Sequence, residues 1–371
     1  MVRVSPAQAA EIARRHYGVT GTAHRLAAEH DDTFRLAAAD GTVRLLKISV
    51  VAPGSPGIAV GEDGESGPSF QTALLAHLAA ASPEVPVQRV IAALDGRPEV
   101  ILDEGPGRLV RMTSWLDGQL LAAATTSAAL RHDIGATLAR LNIALRGFGY
   151  PSGRRTHLWD LQKFGGLRPL LGELHDGGQP PSVRQALAAR KLTAVALHAA
   201  LAERLDHFDA VVAPRLASQP TQVIHTDFHG ENLLTDGSLV TGILDFGDAI
   251  AGPVAMDVGV AACYQLGVTG PCDDAADRRD LLAPAFDVVG GYHSVDPLGG
   301  GDLELVAEFL VARVAARIIV SQANAARDPA NSGYLLRRTA QAIEHFDALR
   351  ALPRGMLSGR LRAACGLEGP P

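Results

Sequence analysis

Two different periods of apolar spacing run along this chain, and one gives way to the other near Leu120. Before that point the runs are short, alternating and rich in β-branched residues, which predicts strands: TVRLLKISV over 42–50, RPEVILDE over 97–104 and, more weakly, RLVRMTSWL over 108–116. The stretch EHDDTFRLAAADGTVRLLKIS reads as two strands joined by a turn at Asp40-Gly41, a hairpin. Two helices are predicted beside these strands. One starts at Ser5 as N-cap, with Pro6 at the first helical position and Gln8 closing a capping box. The other, FQTALLAHLAAA, follows a loop rich in Gly, Pro and Ser over 52–69. Past Leu120 the spacing turns helical, with Ala/Leu-rich segments over 122–147, 183–213, 302–327 and 331–350. Only TQVIHTDF and LVTGILDF interrupt them. The expected fold class is therefore α+β, with a small β-rich lobe over 1–111, a connector over 112–118 and a larger helical lobe over 119–371.

Composition narrows the picture in three places. A hydrophobic share of 47%, a charged share of 20% and a net charge of −6 describe an ordinary globular chain with no basic stripe for nucleic acid. No uncharged apolar run reaches bilayer length, and the N-terminal segment has no apolar centre of the signal-peptide kind, so no membrane partner is expected. Cys263, Cys272 and Cys365 are few, odd in number and without metal-ligand spacing, which fits a reducing cytoplasm. Of the 34 basic residues only Lys47, Lys163 and Lys191 are lysines, a bias expected of a GC-rich bacterial genome.

The chemistry concentrates in HTDFHGENLL, 225–234, and GILDFGD, 242–248, where His225, Asp227, His229, Glu231, Asn232, Asp245 and Asp248 lie beside a predicted core. Asp227 and Asn232 are five residues apart, and Asp245 follows eighteen residues after Asp227. A loop leaving one strand and entering a second would place all three on one side of a β-hairpin. Such oxygen ligands suit a hard cation, and Mg²⁺ prefers one or two protein oxygens together with substrate phosphates. A second reading takes His225, Asp227 and His229 as alternating ligands on one strand face, suited to zinc. That reading leaves Asn232 and Asp245 without a role.

The pattern H-x-D-x-x-x-x-N followed by D-F-G is that of the kinase catalytic and metal-binding loops. Here the chain resembles the aminoglycoside phosphotransferase and choline kinase-like family, which has a protein-kinase-like two-lobed fold. The resemblance implies that Asp227 orients the acceptor hydroxyl and takes its proton, while Asn232 and Asp245 hold Mg²⁺ on the phosphates of ATP or GTP. It also implies that His225 braces the loop and that Lys47, in RLLKIS, contacts the nucleotide. Two departures stand out. The helix position that carries an acidic partner for the lysine in kinases is Gln71 here, with Glu62 and Glu65 in the preceding loop as alternatives. No Gly-rich loop precedes Lys47, so Thr33 and the backbone near Asp31 and Asp32 are left to cover the phosphates, and no Walker A motif is present. The base would meet backbone groups of the connector from Arg111 to Leu116.

Within the family, HYGVTG, EHDDTFRL, FQTALLAHLAA, HLWDL and DFGDAIAGPVAMDVGVAACY look most like the hydroxylysine kinase branch. Asp160 is either an acceptor-binding carboxylate or a helix cap, with Trp159 packed in the core. Asp248 is either a second acidic wall for a cationic acceptor or a turn residue, and Asp257 is expected to anchor a helix start to the catalytic loop. The expected substrate is a small hydroxylated amine, first a hydroxylysine-like amino acid. The alternatives are an antibiotic or peptide natural-product phosphotransferase and, in another class, a nucleotide-binding pseudokinase.

Overall fold

The computed structural model describes residues 3–27, 31–50, 69–102, 107–150, 157–172, 181–267 and 280–367. Glu62, Glu65 and Cys272 lie outside them. The N-terminal part holds α1 (Pro6–Tyr17), β1 (Gly21–Arg25), β2 (Asp32–Ala38), β3 (Val43–Val50), α2 (Phe70–Ala81), β4 (Val90–Ile91), β5 (Val100–Leu102) and β6 (Arg108–Ser114). The strands form one antiparallel sheet in the order β1-β2-β3-β6-β4, with β5 also on β6. The capping box of α1 forms as its sequence predicts, Ser5 Oγ accepting from Gln8 N–H and Gln8 Oε1 accepting from Ser5 N–H.

Alternation along the strands sorts this sheet into two faces. Phe34, Leu36, Leu46, Ile48, Val110 and Met112 are buried on one face and pack with Val4, Ala9, Ala13 and Tyr17 at α1. The register sets Thr33 opposite Lys47 and Lys47 opposite Arg111, so these three form a row on the other face. A period of two therefore places a lysine and an arginine in mid-sheet without charging the core.

The larger part is mainly helical. It holds β7 (Gln119–Leu120), α3 (Ala128–Ala144), α4 (Arg168–Gly172), α5 (Pro181–Ala189), α6 (Ala194–His207), α7 (Ala213–Leu216), β8 (Gln222–Ile224), β9 (Leu233–Thr235), β10 (Val240–Ile243) and β11 (Ile250–Gly252). It continues with α8 (Val254–Cys263), α9 (Ala283–Val295), α10 (Gly300–Arg327), α11 (Ser332–Leu335), α12 (Thr339–Arg350) and α13 (Met356–Ala364). No helix among the described residues is long and apolar enough to cross a membrane. Its core is one continuous cluster that includes Leu138, Phe208, Ile224, Phe246, Met256 and Phe309.

Several expectations change here. The span 183–213 is not one helix. It breaks where Lys191 takes φ 54° and Thr193 starts α6 as an N-cap, its Oγ1 accepting from Ala196 N–H. The 331–350 segment is likewise two helices, α11 and α12. TQVI does not pair with TGIL. β8 pairs with β11, and the hairpin is β9 with β10. The sheet strand β6 runs to Ser114, so the first residues of the expected connector belong to the sheet.

Helix packing then fixes the two elements that frame the 225–232 loop. Gly259 on α8 faces α10, where an added Cβ would lie 2.8 Å from Phe309 Cβ and 2.9 Å from the Val306 carbonyl oxygen. The missing side chain lets the helix carrying Asp257 press against the helix carrying Arg313.

Candidate active site

Between β8 and β9 the chain turns sharply. Thr226 takes φ 64°, which ends the strand-like alternation at His225. The loop is tied from below by Asp257, whose fully buried carboxylate accepts from His225 N–H at 3.1 Å and Thr226 N–H at 2.7 Å. This is the anchoring role expected of it. Burial pushes the Asp257 carboxyl up, while His225 and the two backbone donors pull it back down. Thr226 Oγ1 donates to the Asp248 carbonyl at 2.7 Å, joining the loop to the DFGD turn. His225 is buried with Nε2 3.0 Å from the Leu244 carbonyl and Nδ1 accepting from Asp227 N–H at 3.2 Å. Both ring nitrogens are thus spent on backbone, which makes His225 a brace.

The carboxylate of Asp227 is surrounded by donors. Asn232 Nδ2 donates to Oδ2 at 2.8 Å and to the Asp227 carbonyl at 3.0 Å. His229 Nε2 lies 3.1 Å from Oδ2. Because His229 Nδ1 accepts from Glu231 N–H at 3.1 Å, its proton must sit on Nε2 and point to Asp227. Arg313, from the middle of α10, donates through Nη2 to Oδ1 at 2.6 Å. Burial by itself would raise the Asp227 pKa, but His229 and Arg313 outweigh it and hold the carboxyl far below its usual range. Asp227 is therefore a carboxylate built to accept a hydrogen bond.

The zinc reading fails on this geometry. Thr226 breaks the strand alternation, both imidazoles have partners, and no cluster of metal-ligating side chains occurs among the described residues. The magnesium reading fits. Two acceptors fix the orientation of the Asn232 amide, so its nitrogen is committed to Asp227 and its oxygen is the remaining donor atom. Leu244 N–H donates to the Asn232 backbone carbonyl at 2.8 Å, which ties Asn232 to the residue before Asp245 at the β9–β10 hairpin end. Asp245 takes φ 54° and is exposed, with Oδ1 accepting from Gly247 N–H at 3.0 Å. An amide oxygen and a carboxylate are hard ligands of the kind Mg²⁺ takes alongside phosphate oxygens.

On the sheet side, Lys47 Nζ pairs with Asp31 Oδ2 at 2.8 Å. Gln71 does not partner Lys47. Its Oε1 accepts from Arg111 Nη2 at 2.7 Å, and Arg111 Nη1 donates to Thr72 Oγ1 at 3.1 Å. Arg111 is thus a site residue in mid-strand, not part of the connector. Thr72 and Ser69 both bond Glu99, which gathers the start of α2 onto the sheet. Burial lowers the Arg111 pKa against the raising fields of Glu99, Asp31 and Asp245. A Cβ on Gly247 would lie 3.4 Å from Gln71 Nε2, so the amide reaches from Arg111 to the DFGD turn. Gln71 thus serves Arg111 where an acidic partner for Lys47 was expected. Asp32 is spent on Val4 N–H at 2.8 Å and on Arg25, and Thr33 stays half-buried beside Lys47.

On the opposite side, Asp160 is a cap. Its Oδ1 accepts from Gln162 N–H and from Gln162 Nε2, both at 3.1 Å, and the residue is buried. Its neighbour Trp159 instead reaches the site, its ring centroid 4.6 Å from Arg313 Cζ. Asp248 is half-buried, with its carbonyl near His157 Nε2 at 2.8 Å. Burial raises the Asp248 carboxyl, and Asp227 and Asp245 add to that over an opposing pull from His157.

The family model described as phosphotransferase enzyme family matches residues 64–298, more than half of the chain. The chain belongs to the phosphotransferase enzyme family. It is a small-molecule kinase that phosphorylates a hydroxyl group. Hydroxylysine kinase of Danio rerio is 24% identical over 375 residues, covering 96% of this chain and 94% of that protein. Hydroxylysine kinase of Mus musculus is 23% identical over 67% of this chain and 64% of that protein. The two-lobed fold is shared with amicoumacin kinase hAmiN, solved with AMP-PNP, Ca²⁺ and Ami, at TM-score 0.62 and 15% identity, covering 92% and 94% of the two chains. It is also shared with a microcompartment-associated aminopropanol kinase at TM-score 0.57 and 19% identity, covering 97% and 98%.

Proposed function

We propose that this kinase transfers the γ-phosphoryl group of ATP or GTP, bound with Mg²⁺, to a hydroxyl of an amine-bearing metabolite, a hydroxylysine-like amino acid first. The observation that carries the reading is the Asp227 carboxylate. It is held ionised by three donors, and Asn232 and Asp245 would supply the oxygen ligands for the metal. The two hydroxylysine kinases support the acceptor class, and the nucleotide analogue in hAmiN supports the donor class.

In this mechanism Asp227 accepts a hydrogen bond from the acceptor hydroxyl and aims its oxygen at the γ-phosphorus. The new bond joins that oxygen to phosphorus, the bond from phosphorus to the β-γ bridging oxygen breaks, and nucleoside diphosphate leaves. The hydroxyl proton passes to Asp227 late in the reaction, as a carboxylate of depressed pKa requires. Magnesium on Asn232 and Asp245 would neutralise phosphate charge. Lys47 trades Asp31 for nucleotide phosphate, Arg111 adds positive field behind it, and Thr33 lines the same row. Asp248 offers a carboxylate to the acceptor ammonium.

The test is nucleoside diphosphate release with ATP and GTP separately, over hydroxylated amino acids, amino alcohols and aminoglycosides, each paired with Asp227→Asn. Turnover on hydroxylated amino acids that the variant loses supports the reading. Turnover confined to aminoglycosides would move the enzyme to antibiotic phosphorylation. Nucleotide binding with no turnover on any acceptor would make it a pseudokinase.

A further inference from the structure

The break between α11 and α12 has no local cause. The stretch 334–338, YLLRR, holds neither proline nor glycine, and leucine and arginine are good helix formers. Yet the backbone leaves the helix there, with Leu336 at φ −97°, ψ 1° and Arg338 at φ −114°, ψ 2°. The break aims two neighbouring side chains at one point. On a continuous helix they would stand about 100° apart. Here Arg337 Nη2 donates to the Glu231 carboxylate, 3.3 Å from Oε1 and 3.1 Å from Oε2, and Arg338 Nη2 donates to Oε1 at 2.8 Å. Arg337 is itself held, with Cζ 3.7 Å from the centroid of the Tyr334 ring and Nη1 donating to the Tyr334 carbonyl at 2.9 Å. Leu336 and Thr339 are buried, which seats the break on the core.

Glu231 belongs to the 225–232 loop and stands among the residues that fill Asp227 Oδ2. Asn232 Nδ2 donates to that oxygen at 2.8 Å, and His229 Nε2 lies 3.1 Å from it. Glu231 N–H donates to His229 Nδ1 at 3.1 Å, which turns the far edge of the ring toward Asp227. Asn232 N–H donates to the His229 carbonyl at 2.8 Å and closes the turn. Both donors on Oδ2 therefore hang on the backbone around Glu231. The first half of the loop has its own anchor, the Asp257 carboxylate under His225 and Thr226. The second half is gripped through the Glu231 side chain, from residues 106 and 107 positions further along the chain.

We propose that Glu231, clamped by Arg337 and Arg338, is a positioning residue for Asp227. This rests on the kinase reading above and deepens it. The clamp works through the seat of His229 and Asn232 and needs no contact with nucleotide or acceptor. Once it is cut, the turn loosens, Oδ2 loses its fixed donors, and the carboxylate no longer aims the hydroxyl at phosphorus. Such misalignment lowers the rate of transfer more than it weakens binding. All three charged side chains are at least about one-third exposed, so solvent screens them and they add little to global stability. The clamp can therefore be removed from a folded enzyme.

The experiment measures kcat and KM with hydroxylysine and Mg²⁺-ATP for wild type, Glu231→Gln, the pair Arg337→Gln with Arg338→Gln, and all three together. Glu231→Gln is expected to lower kcat about 10-fold, with both KM values within about threefold. The arginine pair is expected to lose about as much, and the triple variant no more than either, because all cut one contact. Arg337→Lys with Arg338→Lys keeps the charges and should recover most of the rate. A Glu231→Gln enzyme with kcat within twofold of wild type would overturn the proposal. Losses that multiply in the triple variant would overturn it too, since the arginines would then act apart from Glu231. A fall in rate accompanied by a thermal midpoint lowered more than about 5 °C would make the contact merely structural. Hydrogen exchange over 228–234 separates this inference from the kinase reading, because it needs no turnover. If wild type phosphorylates nothing, faster exchange in the variants keeps the grip on the turn and rejects the kinase reading, whereas unchanged exchange rejects the clamp.

Discussion

Two ion pairs of the candidate site, Lys47 with Asp31 and Arg313 with Asp227, are built in opposite ways. Lys47 meets Asp31 at 2.8 Å with both side chains about one-fifth exposed, on a strand and at the edge of a hairpin. Arg313 meets Asp227 at 2.6 Å with the arginine sealed inside a 28-residue helix. The first pair keeps contact with solvent on both sides, which screens it. That makes it easy to exchange. A lysine that releases one carboxylate and takes up a phosphate, then reverses this each turnover, should not be held firmly. The second pair is suited to the opposite work in the proposed mechanism, keeping a carboxylate ionised and aimed while substrates come and go. On the proposed mechanism the site pairs a replaceable contact on the nucleotide side with a fixed one at the point of chemistry.

The largest expected effect comes from removing the fixed element. Asp227→Asn should lower kcat by about 10³-fold or more while nucleotide affinity stays within about threefold, measured by diphosphate release and by calorimetry. Lys47→Met should lower kcat/KM for nucleotide about 10²-fold, and the loss should appear in nucleotide binding as well as in rate. Gln71→Glu sharpens the contrast within the sheet side. By setting a carboxylate against the Asp245 turn, it should lower kcat/KM for nucleotide about threefold to tenfold, and a gain would show that the enzyme lacks a true Lys47 partner. Asp31→Asn should be mildest, shifting nucleotide KM by less than about threefold in a KM measurement. A tenfold change there would mean that the Lys47–Asp31 pair is not the loose contact described.

Much of this was legible in the chain. The helix Phe70–Ala81 and the capping box at Ser5 follow from apolar spacing and local chemistry. The H-x-D-x-x-x-x-N and D-F-G stretches put Asp227, Asn232 and Asp245 together because loop and hairpin bring them close in sequence and in space. The partners that come from far away were not legible. Arg313 is 86 residues from Asp227, and its contact depends on α8 and α10 approaching at Gly259. Its signal was present all the same, since two arginines four apart in VARVAARIIV cannot both be solvated on a buried helix. Arg111 carries the same signal as Lys47, a charge within a strand, although its position at the end of the sheet also suits a connector. The spacing of His229 suits a metal ligand, but a histidine two residues from a carboxylate in a tight loop is as readily its hydrogen-bond donor. Asp160 was ambiguous because a cap and a ligand ask for the same side chain, and only the position of Gln162 decides.

The most direct test of the account is a ³¹P NMR spectrum of wild-type enzyme and Asp227→Asn incubated with Mg²⁺, ATP and hydroxylysine. The account predicts a phosphomonoester resonance on the amino acid with wild type, growing as the γ-phosphoryl signal of ATP declines, and no such resonance with the variant at equal nucleotide occupancy. An equal phosphomonoester signal from the variant would contradict the assignment of Asp227 and the mechanism built on it.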